Sequence, residues 1–302
     1  MHEELFAPLT KGPDLNEEEI QPSVSYWQES LRRLRANKPA MIGLWILVFL
    51  CSMAILGPFF SPYAYYEIHL PQINMPPGQN YIFGTDELGR DVFTRICWGA
   101  RISLFIGIMA ALLDLIVGVT IGSLAGSIGG KIDEIIMRIA DSMHSIPYLL
   151  IVIMLMVIMG TGIATILVAL TITGWIGMAR IVRGQIMQLK ELDFVKAAQA
   201  LGASKRRILF RHLIPNAMGP IIATMTLTIP SAIFTEAFLS FLGLGVQAPI
   251  ASWGTMANDG LPAMRYFPWR LFFPAGFISI TMLCFNLLGD GMRDAFDPRL
   301  RS

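Results

Sequence analysis

The chain has 302 residues, of which 54% are hydrophobic and only 15% charged, and its mean hydropathy is +0.57. Charged residues make up about a quarter of an ordinary soluble domain, so the composition excludes a water-soluble enzyme and points to an all-helical membrane protein. Long apolar runs rule out a transmembrane barrel, and 23 Lys and Arg against 22 Asp and Glu give no case for a nucleic-acid partner.

In chain order, the first 24 residues are acidic and contain proline, and they lack the basic and apolar regions of a signal peptide. They are expected to form a loose tail. Tyr26 to Lys38 places Trp27, Leu31 and Leu34 on one helical face and Arg32, Arg33 and Arg35 elsewhere, the pattern of a short helix in the membrane interface. A spanning helix needs about 20 mostly apolar residues. Six stretches qualify: Ala40 to Phe60, Ile102 to Ala125, Ile135 to Met159, Ile163 to Ile181, Ala217 to Glu236 and Leu271 to Leu288. The third is the least clean, because Arg138, Asp141 and His144 precede Pro147.

All but five of the 23 Lys and Arg residues fall in the two tails and the 126–138 and 180–212 loops; the exceptions are Arg90, Arg95, Arg101, Arg265 and Arg270. Basic residues mark the cytoplasmic side, so both termini of this multi-pass chain are expected there. The 61–101 and 237–270 segments then lie outside. Arg90 and Asp91 read as part of a turn with Thr85, Asp86 and two glycines, in preference to a site for the charged ends of a substrate. Trp253, Tyr266, Phe267 and Trp269 read as an interfacial aromatic belt.

Covalent chemistry has no visible carrier. His2, His69, His144 and His212 are unpaired at helical spacing, and Cys51, Cys97 and Cys284 are too far apart for metal-ligand spacing. Neither Gly126-Ser-Ile-Gly-Gly-Lys131 nor Gly243-Leu-Gly245 has nucleotide-loop spacing. No catalytic residue, metal or cofactor is therefore expected, and any energy source must come from other chains.

In the second span, Ala110, Asp114, Gly118, Gly122 and Gly126 recur every four residues, a small-residue stripe that lets another helix approach. A carboxylate at Asp114 should face the bundle interior, either hydrogen-bonded to a neighbouring helix or lining a path. Glu236, at the end of the fifth span, is similar. The 180–215 loop carries the strongest signal. Phe194 to Leu201 offers helix formers, Gly202 breaks the run, Ser204 can cap a second helix reaching His212, and Pro215 opens the next span. Two short helices joined at a glycine would make a knob projecting from the membrane.

Ala197-Ala198, Gly202 and His212-Leu213-Ile214-Pro215 have the spacing of the EAA loop of ATP-binding-cassette importer permeases, which the chain resembles. Lys196 stands where that family usually has Glu, His212 where it has Ile, and Ile214 where it has Leu. Phe83-Gly-Thr-Asp-Glu-Leu-Gly-Arg-Asp91, Gly99 to Ser103, Ala179 to Gly184, Ser240 to Gly245, Ser252 to Thr255 and Gly289 to Ala295 with Asp297-Pro298 are similar to OppC and DppC type permeases. The resemblance implies a type I ABC importer permease fold and coupling to an ATPase through Lys196, Ala197, Ala198, Gly202, Ser204, Arg207, His212 and Pro215. It also implies an OppB-like second permease, two ATPases of OppD and OppF type, an extracellular peptide-binding protein, peptide as substrate, and membrane lipid around the spans. Residues 1–38 would then be tail and interfacial helix, 39–100 an added span and external loop, and 101–302 a five-span core with the loop at 190–215. The alternatives are import of nickel or another small solute and, outside the class, a passive channel or receptor.

Overall fold

The computed structural model describes residues 26–296, which leaves the expected N-terminal tail, Asp297-Pro298 and the C-terminal residues outside it. The described residues are all-helical apart from one isolated bridge between Thr85 and Asp91. Five helices are long and apolar enough to cross a membrane, and a bent pair makes a sixth. They are α2 (Lys38–Phe60), α3 (Val92–Ile128), the pair α4 (Gly130–His144) and α5 (Tyr148–Met159), α6 (Ile163–Lys190), α9 (Ile214–Phe241) and α11 (Trp269–Phe296). Shorter helices fill the connections: α1 (Tyr26–Ala36), α7 (Asp193–Ala200), α8 (Lys205–Ile208) and α10 (Trp253–Gly260). One end of the bundle carries the 61–91 segment and α10, here the loop end, and the other carries α7 and α8, the knob end.

The amphipathic α1 lies against the end of α11, with Trp27 and Phe296 in an edge contact at 5.6 Å. Asn37 ends it and caps α2, its side chain accepting the Ala40 N–H at 3.1 Å, with Pro39 in the first turn where no N–H is needed. Within α2, Pro58 removes the N–H that would pair with the Ala54 carbonyl, a loss that lipid cannot make good. Arg101 of α3 fills the gap, donating from Nε to Ala54 O at 2.6 Å and from a terminal nitrogen to Ile55 O at 2.9 Å.

The second span begins at Val92 rather than Ile102. At about 1.5 Å per residue its 37 residues reach about 55 Å, well beyond the roughly 30 Å hydrocarbon layer. Asp91 caps it through Thr94 N at 2.8 Å, and the extra turns pack under the 61–91 segment, where Arg95 is buried against Asp86 at 2.6 Å. Apolarity could not reveal these turns, because they are covered by protein and tolerate a paired arginine. The helix runs unbroken through residues 100 and 101.

The third span differs from the straight helix expected over Ile135 to Met159. Ser145-Ile146-Pro147 interrupts it and the two arms meet at 83°. The residue before a proline avoids helical geometry, so the break falls where Pro147 puts it. The 12 residues of α5 reach only about 18 Å and cannot cross alone. The other arm, α4, is tied to α6 through two carboxylates: Asp133 takes a two-pronged contact from Arg183 at 2.5 and 2.6 Å, and Asp141, one of the charged residues that made this span irregular, takes Arg180 at 2.6 Å. Likewise α6 runs to Lys190 instead of stopping near Ile181, because its last turns rest on this ion-paired arm.

The Arg101 contacts give a direct test. Arg101→Leu should lower stability by about 1–3 kcal/mol by orphaning the Ala54 carbonyl, and Pro58→Ala, which restores an N–H, should recover part of that loss. The readout is the thermal denaturation midpoint of detergent-solubilised protein in a double-mutant cycle. Independence of the two substitutions would show that Arg101 does not serve the proline kink.

Candidate functional site

A cavity of about 1590 Å³ opens between α5, α6 and α9, larger than the few hundred cubic ångströms of a typical small-molecule pocket. One wall is a hydroxyl stripe on α9. Thr224, Thr228, Ser231 and Thr235 fall at steps of four, three and four residues and therefore share a face. Each hydroxyl donates to the carbonyl four residues back, at 2.8, 3.0, 3.4 and 2.8 Å, so its proton is already committed and its oxygen remains an acceptor toward the cavity. Opposite, α6 offers Thr173, Gly174 and Gly177, small enough to keep the space open. Arg180 of α6 and Arg293 of α11 lie toward the knob end. The stripe was not singled out from sequence, although its spacing is the readable signal.

Asp114 reaches this cavity from α3. Its residue surface is only 4% exposed, and its Oδ1 has no hydrogen-bond partner among the described residues. A side chain at Gly174 would overlap the carboxylate, so this glycine creates the seat. Ala110 lines the cavity as well, whereas the three glycines of the stripe face the α6 backbone and side chains. A Cβ at Gly118 already lies 2.6 Å from Met178, one at Gly122 would overlap the Ala179 carbonyl, and Gly126 leaves only 2.9 Å to the Arg183 carbonyl. Gly118 and Gly122 hold α3 against α6 and do not line the cavity.

Glu236 is fully buried and also outside the cavity lining. It accepts from Ser103 of α3 at 3.2 Å and from Ser240 at 2.8 Å, while Ser103 in turn accepts the Trp253 backbone N–H at 3.2 Å. It thus joins α3, α9 and α10. Trp253 corrects the aromatic-belt expectation. It is wholly buried, with Nε1 donating to Ile96 O at 3.0 Å over the space left by Gly99, a seat that only the chain's return onto α3 creates. Tyr266 is 73% exposed, as a belt residue would be, whereas Trp269 donates to Thr85 O at 3.3 Å and pins the loop. In that loop Asp86 takes Arg90 at 2.7 Å and Arg95 at 2.6 Å, and Asp91 is the α3 cap, so Arg90 and Asp91 serve the turn itself.

The knob is built from α7 and α8. Gly202 has φ of +79°, the Gly202 N–H donates to Gln199 O at 2.9 Å, and the Ala203 N–H reaches back to Ala198 O at 3.0 Å. This pair of bonds closes a helix with a left-handed residue, for which glycine is the favoured choice. Ser204 then caps α8, accepting from Arg207 N at 3.3 Å. Buried Val195, Ile208 and Leu213 fix the knob to α6 and α9. Lys196, Ala197, Arg207 and the tip residue Leu201, 89% exposed, face outward. His212 lies 6.5 Å from the Phe194 ring, centroid to centroid.

The second helix of the knob does not end at His212, as the sequence suggested. It passes through a wider turn at Leu209–Leu213, closed by Ile214 N–H to Leu209 O, and continues directly into α9. That widening gives room for Pro215, whose ring would crowd the Arg211 carbonyl in a regular helix, and Asn216 Nδ2 donates to the His212 carbonyl at 2.6 Å.

Residues 118–302 match the family described as binding-protein-dependent transport system inner membrane component, and residues 25–77 match the N-terminal TM domain of oligopeptide transport permease C. The oligopeptide transport system permease protein OppC of Bacillus subtilis (strain 168) is 57% identical over 98% of this chain and 97% of its own length. The dipeptide transport system permease protein DppC of the same organism is 60% identical over 93% of this chain and 88% of its own. Among solved structures, an inward-facing form of the MetNI methionine ABC transporter shares the fold, with a TM-score of 0.54 at 19% identity over 66% of this chain and 94% of that one.

Gly122→Ala should destabilise the bundle by about 1–3 kcal/mol, since the methyl must displace a backbone carbonyl. Gly276→Ala on α11, which meets nothing within 4 Å, should be neutral or stabilising. Thermal midpoints of the two purified variants compare them, and equal midpoints would show that α3 and α6 are not held at backbone contact.

Proposed function

The chain belongs to the family of binding-protein-dependent transport system inner membrane components, and from that membership we propose that it forms half of a membrane pathway for peptides. ATP hydrolysis takes place on other chains. The observation that carries this reading is the continuity of the knob with the cavity wall: Lys205 to Phe241 is one unbroken helical rod, with the exposed knob at one end and the hydroxyl stripe along its length. A force applied to the knob is delivered to the cavity wall without an intervening flexible loop. Acceptor oxygens along α9 suit a substrate rich in N–H donors, such as a peptide backbone, without reading its side chains.

The partners in this reading are an OppB-like permease that completes the cavity, two ATPases of OppD and OppF type at the knob, and an extracellular peptide-binding protein at the loop end. The two Bacillus relatives, named for oligopeptide and dipeptide transport, support peptide as the cargo. The concentration of basic residues at the knob end supports a cytoplasmic location for it and for both termini. In domain terms, residues 1–38 and 39–100 precede a five-span core at 101–302, and Lys196, Ala197, Ala198, Gly202, Ser204, Arg207, His212 and Pro215 form or support the ATPase contact. Gly118, Gly122 and Glu236 hold the helices that frame the path.

Two measurements test this. Reporters fused at residues 20 and 300 should read as cytoplasmic and one at residue 75 as external; an external C-terminus would overturn the orientation. Gly202→Asp places a charged side chain at a left-handed position, at a backbone cost of about 1 kcal/mol or more. In the full complex, peptide uptake and peptide-stimulated ATP hydrolysis should fall together several-fold while the subunit still inserts. Normal coupling in that variant would show the knob to be a mere connection.

A further inference from the structure

We propose that Asp114 and Tyr148 form a binding point for a primary ammonium group, the N-terminus of a peptide in transit. The inference rests on the peptide reading above and names what one spot of the cavity recognises.

The bilayer makes an unpaired carboxylate costly, and such a group persists where it faces a water-filled space or a partner. Asp114 is nine-tenths buried, lines the cavity and leaves Oδ1 without a partner among the described residues. Tyr148, at the start of α5, lines the same cavity. Its hydroxyl too is buried without a partner, and the two groups are close enough to interact electrostatically. Elsewhere in the bundle Arg101 meets two carbonyls, Glu236 meets two serines and the α9 hydroxyls meet their own backbone, while the buried hydroxyls of Ser123 and Thr281, which have no partner among the described residues, do not line the cavity. Among the described cavity-lining residues, the carboxylate and the phenol are the two with a buried, unpartnered side-chain oxygen.

Their chemistry selects the ligand. A carboxylate beside a phenol oxygen presents one negative charge and several lone pairs, which suits a cation carrying N–H donors. Among the described residues no group of three metal-ligating side chains accompanies them, so the spot is not a metal cage. Asp114 is also the one carboxylate among the described cavity-lining residues, while Arg180 and Arg293 lie toward the knob end. Gly174 sits level with Asp114, and Arg180 follows six residues later on α6, about 9 Å further along the axis. Arg180 is neutralised by Asp141, so an ammonium is drawn to Asp114, the one carboxylate among the described lining residues, and a zwitterionic peptide has an electrostatic reason to place its amino end there.

The test uses the full complex in proteoliposomes, with the binding protein saturated in turn by a peptide bearing a free N-terminus and by its N-acetylated form. Wild-type uptake of the free-amine peptide first checks the peptide reading itself; failure there overturns that reading and the present one with it. Given wild-type uptake, Asp114→Asn should lower the ratio of free-amine to acetylated uptake about tenfold, and Tyr148→Phe about threefold. Co-purification of the ATPases reports assembly, and if Asp114→Asn does not assemble, the Tyr148→Phe ratio decides alone. An equal loss for both peptides, or an unchanged ratio, would overturn the proposal and leave Asp114 a packing residue.

Discussion

Gly118, Gly122 and Gly126 bring the backbone of α3 onto that of α6, and most of the other placements follow from that contact. In lipid there is no hydrophobic drive to pull two apolar helices together, so close van der Waals contact must do it, and only small residues permit such an approach. Once α3 and α6 are in register, Asp114 falls opposite Gly174 and opens into the cavity. The far end of α6 is then in position to take the α4 carboxylates through Arg180 and Arg183, which folds the third span back on itself. The knob that follows α6 inherits its position from the same seam through buried Val182, Ile186 and Val195.

A second constraint is the treatment of polar groups where water is scarce. Proline in α2 would leave a carbonyl bare, and an arginine from the neighbouring helix occupies it. Hydroxyls on α9 bond to their own backbone, which removes the cost of the proton while keeping an acceptor surface. Glu236 is surrounded by serines from two helices. These solutions stiffen the frame around the cavity, so that the polar wall is available without local unfolding. The interruptions of regular helix bonding have specific causes: Pro58 in α2, Pro147 between α4 and α5, and the widened turn before Pro215.

The widened turn matters for coupling. A two-helix knob joined to its span by a loose linker would dissipate a push from a partner. Here α8 enters α9 through a turn that is bonded throughout, and the only hinge-like feature within the knob is Gly202, closed by two backbone bonds. In the proposed coupling, a push at the tip would therefore be carried along α9, the helix with the hydroxyl stripe.

The existence of the spans, the glycine stripe and the capped, glycine-broken knob were legible in the sequence, because each depends on local properties: apolarity over a membrane's thickness, helical spacing, and the preference of glycine for a left-handed turn. The knob residues Ala198, Gly202 and Ser204 occupy the positions their chemistry suggested. Helix ends were not legible where protein rather than lipid covers them, which is why α3 starts at Val92 and α6 runs to Lys190. Pro147 announced a break, yet its 83° angle depends on ion pairs between residues 50 and 39 positions apart in the chain. Trp253 looked like an interfacial aromatic and is a buried one, since only the return of the chain over Gly99 creates its seat. Which polar side chains would find partners, and that Asp114 Oδ1 and the Tyr148 hydroxyl would not, was decided by the tertiary structure alone, because a hydrogen bond depends on separations in space that local sequence does not encode.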